Sequence, residues 1–519
     1  MWQARVSSSP PCSWLLGCAL VLGLALAPTS HANAEETEVV VAVQENPPQL
    51  SPVMIARNVA YRVLYNAYDT LLEIDYAGDF DVMPGLATAW RRIDDRTIEL
   101  DLRKGVKFHN GEEMTVEDVV FTFGAGHVGE GTPAFETSRA YLGTIEVAEA
   151  VDEDTVRIRT VAPDPILELR LASWMTQIVS KAAFEAAGSY EEWLKAPVGT
   201  GPYKIVEFTP DERLVLEAHD EYWQGAPEID RLVFQVVPEL SARIAGLAAG
   251  DFDIVTEVTP DQIGTIEAID GVTVVGGPVL TPRSVNFDME NPVLQDVRIR
   301  RALSLALDRQ LIVDTLWDGR VSVPNGHQFP AFGALYDPDR VELVYDPDQA
   351  RELVQAAGYD GTAIPYRILP NYYPAQLQTA EIIAQMWRDV GLNIDLQVKE
   401  SFGQVYQDPA GIGDVSDPAL FPDPLASVWR LYGPNGWSAK QNSWSNERFN
   451  ELGQILATST DSEARRAAFQ GMLDIYHHED PPATILYTLG QFYGMSEGVD
   501  WTPYPAAFMD FRARNASVK

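Results

Sequence analysis

The chain of 519 residues carries a formal charge of -37, from 75 acidic against 38 basic residues scattered along its length. So anionic a surface argues against nucleic acid as a partner, because a polyanion is repelled. Both cysteines, Cys12 and Cys18, lie near the N-terminus, and the rest of the chain is left without disulfides or thiolate metal sites.

Arg5 precedes an apolar stretch from Trp14 to Ala27 that ends in Ala32-Asn33-Ala34. That pattern predicts a secretory signal peptide over residues 1–34, cut after Ala34. No later stretch approaches the roughly 18 uninterrupted apolar residues of a membrane span, so a periplasmic protein is expected. The remainder is long enough for roughly two or three cores held by burial alone.

Residues 103–123, "RKGVKFHNGEEMTVEDVVFTF", read as strand, turn, strand, turn and helix. Asn110-Gly111 is a turn dipeptide, and Thr115 with Asp118 forms a capping box that opens the helix. His109 has no second histidine at metal spacing and is read as structural. "GAGHVG" at 124–129 fits G-x-G-x-x-G, but it follows a capped helix and runs into Pro133, the wrong context for a dinucleotide loop. Neither a metal nor a cofactor is expected.

Downstream, helix alternates with strand, which argues for α/β architecture. "SARIAGLAAGDFDIV" is one such unit. In "DPDQARELVQAAGYDG", Asp346 caps, Pro347 takes the first helical position and Gly358 ends the helix. "AQLQTAEIIAQMWRDVG" stops at Gly391, after which Leu392, Ile394, Leu396 and Val398 alternate as a half-buried strand. "DVRIRRALSLALDRQLIVDTLW" and "DSEARRAAFQGMLDIYHH" predict longer amphipathic helices. Between 401 and 445 periodicity gives way to Gly, Pro, Asp and aromatic residues, and so long a loop in a compact domain is usually functional.

Catalysis finds no support: there is no G-x-S-x-G elbow, no Gly-Lys phosphate loop, no H-E-x-x-H and no cysteine nucleophile. His477 and His478 are adjacent, so on a helix they point about 100° apart and cannot share a metal. A secreted hydrolase is the weakest reading.

Residues 84–123, "PGLATAWRRIDDRTIELDLRKGVKFHNGEEMTVEDVVFTF", resemble the signature of the bacterial family 5 extracellular solute-binding proteins, with Asn110 in place of the usual Asp of the turn. "VGTGPYKIVEF" with "EYWQGAPEIDRLVFQVV", then "ARIAGLAAGDFDIV", then "DVRIRRALSLALDRQLIV" follow in family order. The resemblance implies the two-lobed periplasmic-binding-protein fold, type II, in its large variant. Lobe I would comprise about 35–76, 200–281 and 488–519, its subdomain 77–199, and lobe II 282–487. Two crossings, "GPVLTPRSVNF" and "ATILYTLGQF", would act as the hinge. The implied function is capture of short peptides or peptide-like solutes by lobe closure, and delivery to the permease subunits of an ABC importer by a monomer that binds no nucleotide. Oligosaccharides or opine-like solutes are the alternative cargo.

In peptide-binding members an aspartate of the corresponding loop meets the ligand's ammonium group. Here Asp414, Asp417 and Asp423 all qualify, although Asp417 and Asp423 precede prolines and could simply make turns. The loop departs from the family's usual form, which puts an amino terminus as the recognised group in doubt. Trp429, Trp437 and Trp444 cluster in the same segment and suit either a cleft wall or a core. Loops expected at the lobe interface add Asn46, Tyr68, Trp317, Tyr372 and Tyr373. At the first crossing stand Arg283 and Asn286, where a guanidinium suits a carboxylate.

Overall fold

The computed structural model describes residues 36–54, 58–370, 372–407, 410–441, 444–506 and 508–519; the expected signal peptide lies outside them. A ten-stranded sheet runs through the molecule. Its strands are β1 (Glu38–Val43), β2 (Tyr203–Thr209), β3 (Arg213–Ala218), β4 (Arg231–Val236), β5 (Ile254–Val255), β6 (Val272–Phe287), β7 (Ile364–Ile368), β8 (Ile394–Val398), β9 (Ile412–Ser416) and β10 (Ala483–Ser496). Their order is β8-β7-β9-β6-β10-β5-β1-β4-β3-β2. β1 pairs in parallel with β4 and β5, and β7 in parallel with β8 and β9, as helical crossovers require. The two parallel groups lie on opposite flanks of the central antiparallel pair β6 and β10.

That pair carries the architecture. The 16 residues of β6 and the 14 of β10, which contain the two segments expected to form the crossings, run side by side, with register breaks between Pro278 and Pro282 and between Arg283 and Ser284. Two prolines within four positions remove ladder donors, and the interruption falls where they stand. A separate four-stranded sheet forms from Ala87–Asp94, Thr97–Leu102, Thr155–Thr160 and Ile145–Ala150.

The 103–123 segment behaves as read, with one reduction: the second strand is a single bridge between Lys107 and Glu113. The capping box is present, Thr115 N donating to Asp118 Oδ2 at 2.9 Å, and it opens the helix Val116–Thr122. His109 Nε2 lies 3.0 Å from the Gly201 carbonyl. Asp346 caps Pro347–Ala356, and Gly358 closes that helix at φ 66°.

The 401–445 expectation needs correction. Instead of one irregular loop, the segment contributes β9, paired to β6 on one side and β7 on the other, and the short helices Val428–Tyr432 and Trp437–Gln441. "IGDVS" lacks alternation because a central strand buried on both faces needs none, and Gly413 admits Tyr406 and Val405 against the backbone.

Candidate functional site

A cavity of about 660 Å³ opens against the middle of β10. Its wall is drawn from both flanks of the sheet. Gln44 and Glu45 follow β1, Arg62 belongs to the helix Asn58–Leu64, and Glu257 follows β5; opposite them stand Tyr372, Tyr373 and Pro374 after β7, and Val398, Lys399 and Glu400 at the end of β8. Leu489 to Tyr493 of β10 form the floor. Of the residues singled out from sequence, Tyr372 and Tyr373 line this cavity.

The buried electrostatics of the wall centre on Glu257. Arg62 Nη2 bonds its Oε1, the Thr256 hydroxyl donates to Oε2, and Arg243 Nη2 lies 3.9 Å from Oε2. Burial alone would raise the carboxyl's pKa, but Arg62 and Arg243 outweigh it and hold Glu257 below its usual range. Glu257 sits at φ 52°, a left-handed conformation costly for a residue with a Cβ. Arg243 is anchored by Nη1 donating to the Val237 and Pro238 carbonyls at 2.7 and 2.9 Å. Arg62 Nη1 is buried and has no partner among the described residues. Sequence reasoning missed Arg62 and Glu257; a cation inside an otherwise apolar helix, "NVAYRVL", and an acid directly after the strand "DIV" were the available signals.

Behind Tyr373 lies a second polar cluster. Arg283 sits over the Tyr373 ring at 3.8 Å and pairs with Asp414, Nη2 to Oδ2 at 2.6 Å. Asp414 also accepts from Gln376 Nε2 at 2.7 Å and from the Tyr366 hydroxyl at 2.8 Å. Both charges are buried, and Asp414 outweighs the lowering effect of burial to raise the Arg283 pKa.

The other aspartates are buried too, and Asp417 Oδ1 has no hydrogen-bond partner among the described residues. Asp417 accepts from the Ser284 hydroxyl at 3.2 Å and lies 3.0 Å from His327 Nε2. Asp423 caps the turn Pro424–Ala426 through Leu425 N and pairs with Arg465 Nη2 at 2.7 Å. Burial raises its pKa against the pull of Arg465. Asn286 joins the Tyr432 hydroxyl and Ser438 at 2.8 and 3.1 Å.

The remaining candidates divide by environment. Trp444 is core, its Nε1 donating to Asp480 at 3.2 Å, and Trp317 is buried against Tyr487 and Phe492. The Tyr68 hydroxyl donates to the Leu50 carbonyl, and Asn46 Nδ2 to the Phe234 carbonyl, each at 3.2 Å. Trp437 is partly exposed and meets Tyr406 edge-on at 5.0 Å. Trp429 packs where glycines 433 and 453 leave room for its ring, and it lines another cavity of about 590 Å³ with Tyr141, Arg139, Arg170, Arg430 and Lys440.

Nothing in the main cavity resembles a nucleophile with its base, and among the described residues no cluster of three or more His, Asp or Glu is placed to hold a metal. An aromatic wall, a buried guanidinium and a floor of crossing strand suit reversible binding.

Comparison with known proteins points the same way. The family model described as bacterial extracellular solute-binding proteins, family 5, middle matches residues 81–439. The chain is 26% identical over 499 residues to the heme-binding protein A of Haemophilus influenzae, covering 89% of each. It is 26% identical over 500 residues to the dipeptide-binding protein of Escherichia coli, covering 90% of this chain and 92% of that one. Among solved structures, the dipeptide-binding protein from Pseudoalteromonas sp. SM9913 with Met-Leu superposes with a TM-score of 0.83 at 22% identity, over 93% of this chain and 100% of the other.

Proposed function

The chain belongs to the bacterial extracellular solute-binding proteins of family 5, and from that premise we propose that it is the receptor of an ABC importer for short peptides or peptide-like solutes. One observation carries this reading: the main cavity takes its wall from both flanks of the sheet and its floor from β10, a strand that joins them. A solute there contacts both flanks at once. Such contacts are complete only when the flanks are close together, so the solute shifts the open and closed populations by its differential affinity. We place lobe I at 35–76, 200–281 and 488–519, its subdomain at 77–199 and lobe II at 282–487, with β6 and β10 as hinge. A cavity of about 660 Å³ falls inside the roughly 300–1,000 Å³ of small-molecule sites.

The protein acts in the periplasm, delivers its cargo to permease subunits in the inner membrane and breaks no bond in it. Thermal shift against di- to hexapeptides and against oligosaccharides tests the cargo class, since a binder stabilises the native state by mass action. A rise in Tm with peptides, absent with sugars, supports the reading. Stabilisation by sugars alone reassigns the cargo, and turnover of any panel member revives an enzyme.

A further inference from the structure

In the middle of the hinge the two crossing strands part. Val279, Leu280 and Thr281 of β6 stand opposite the single residue Leu489 of β10, since Pro278 pairs with Gly490 and Pro282 with Thr488. Leu280 turns its backbone sideways instead: its N–H donates to the Pro505 carbonyl at 3.0 Å, and its carbonyl accepts from Ala419 N at 2.9 Å. Pro505 belongs to lobe I and Ala419 to lobe II in the division above. One residue of the bulge thus touches both lobes.

Ala419 lies in a short strap, residues 417–421, that follows β9. The strap is fastened to β6 a second time by Asp417 N, which donates to the Pro282 carbonyl at 3.1 Å. Its far end crosses to lobe I. There the Leu420 carbonyl accepts from the Tyr76 hydroxyl at 3.4 Å, and Tyr76 stacks on Tyr504 at 5.9 Å and meets Phe508 edge-on at 5.3 Å. Leu420 and Phe421 are buried in the same apolar core as Tyr76 and Phe508. A guanidinium braces the strap: Arg430 Nη2 donates to the Pro418 carbonyl at 3.3 Å and Nε to the Ala426 carbonyl at 2.8 Å. The same group lies over the Tyr141 ring of the subdomain at 5.8 Å, within cation–π reach.

None of Tyr76, Tyr141, Leu420 and Arg430 lines the main cavity. Their contacts join the lobes without any solute, and they exist only while the lobes are together. Resting on the lobe division and the solute-receptor reading, we propose that the strap 417–421, braced by Arg430, is a latch that holds part of the solute-free population closed. Opening exposes the apolar surface that Leu420 and Phe421 bury, which favours the closed form. Apparent affinity scales with the fraction of binding-competent protein, so the latch sets affinity from outside the cavity.

Pulsed electron-spin distance measurement on the full mature protein, labelled at Val206→Cys in lobe I and Val341→Cys in lobe II, reads the open and closed populations. Both positions are exposed, 46% and 71%, and the native cysteines, Cys12 and Cys18, lie in the expected signal peptide. The solute-free parent should show two distances, one of them shared with protein saturated by a binding peptide. Leu420→Ala and Arg430→Gln should each lower the closed fraction by about threefold and raise the peptide Kd by the same factor. Where either folds poorly, Tyr76→Phe keeps its ring and loses only the hydroxyl, and a shift in the same direction is expected of it. A single solute-free distance in the parent, closed fractions unmoved by the variants, or a Kd that rises without a fall in closed fraction overturns the latch and leaves the receptor reading standing. If no peptide binds the parent, the receptor reading falls, and the latch stands or falls on the solute-free distances alone.

Discussion

Two buried polar clusters, one behind Tyr373 and one on the facing wall of the main cavity, sit in different surroundings. Around Asp414 one carboxylate takes Arg283, Gln376 and Tyr366, while Arg283 Nε and Nη1 are buried without a partner among the described residues. Around Glu257, Arg62 Nη1 is buried and unpartnered in the same way, but Arg62 and Glu257 themselves line the main cavity. The first cluster ties β6 to β9; the second forms part of a cavity wall. What separates the two is therefore the open volume beside the second, since both use the same residue types and both leave guanidinium nitrogens unpaired.

The comparison is broken most directly at the cluster behind Tyr373. Removing one partner of a buried ion pair leaves the other charge uncompensated, so Asp414→Ala should cost about 3–5 kcal/mol in denaturant unfolding. A variant as stable as the parent but unable to bind solute would reverse the assignment and make the aspartate segment the site. Asp423→Ala, which strips Arg465 of its partner and removes a cap, should destabilise by about 2–3 kcal/mol with binding intact.

Acid should act on the same side of the comparison. His477 accepts from His327 N at 3.3 Å, and His327 in turn lies against Asp417. Burial, reinforced by neighbouring cations, holds the His477 pKa well below its usual value. The unfolded chain then takes up a proton that the folded chain refuses, so stability is full above about pH 6.5 and is lost as pH falls below it. This residue should therefore cost stability progressively as pH falls toward 5, and the loss measured between pH 7.5 and 5 should shrink in His477→Gln.

Smaller effects sharpen the open end. Tyr372 is 45% exposed, so Tyr372→Ala should change apo stability by no more than about 0.5 kcal/mol while weakening peptide binding several-fold through lost aromatic wall.

Local signals gave much of the framework. Capping by Asp346 and by Thr115 with Asp118, the stop at Gly391 and the alternation from Leu392 to Val398 each appear in the fold as read. The two crossings came from the family resemblance, since glycine, proline and polar residues interrupt any apolar run in the first of them. The strand β9 was not legible in the sequence, since its five residues carry a glycine and an aspartate and owe their conformation to neighbours on both sides. At the site, Tyr372 and Tyr373 were found because aromatic residues after a strand are conspicuous, whereas Arg62 looked like one charge on an amphipathic helix.

By itself the sequence determined the periods, caps and turns, because these depend on residues within a few positions of one another, and through several such motifs in order it determined the family. Which polar clusters border open volume was decided only in three dimensions. Arg62 and Glu257 stand 195 positions apart, as Arg283 and Asp414 stand 131 apart, and no local pattern shows which of two such pairs will line a cavity.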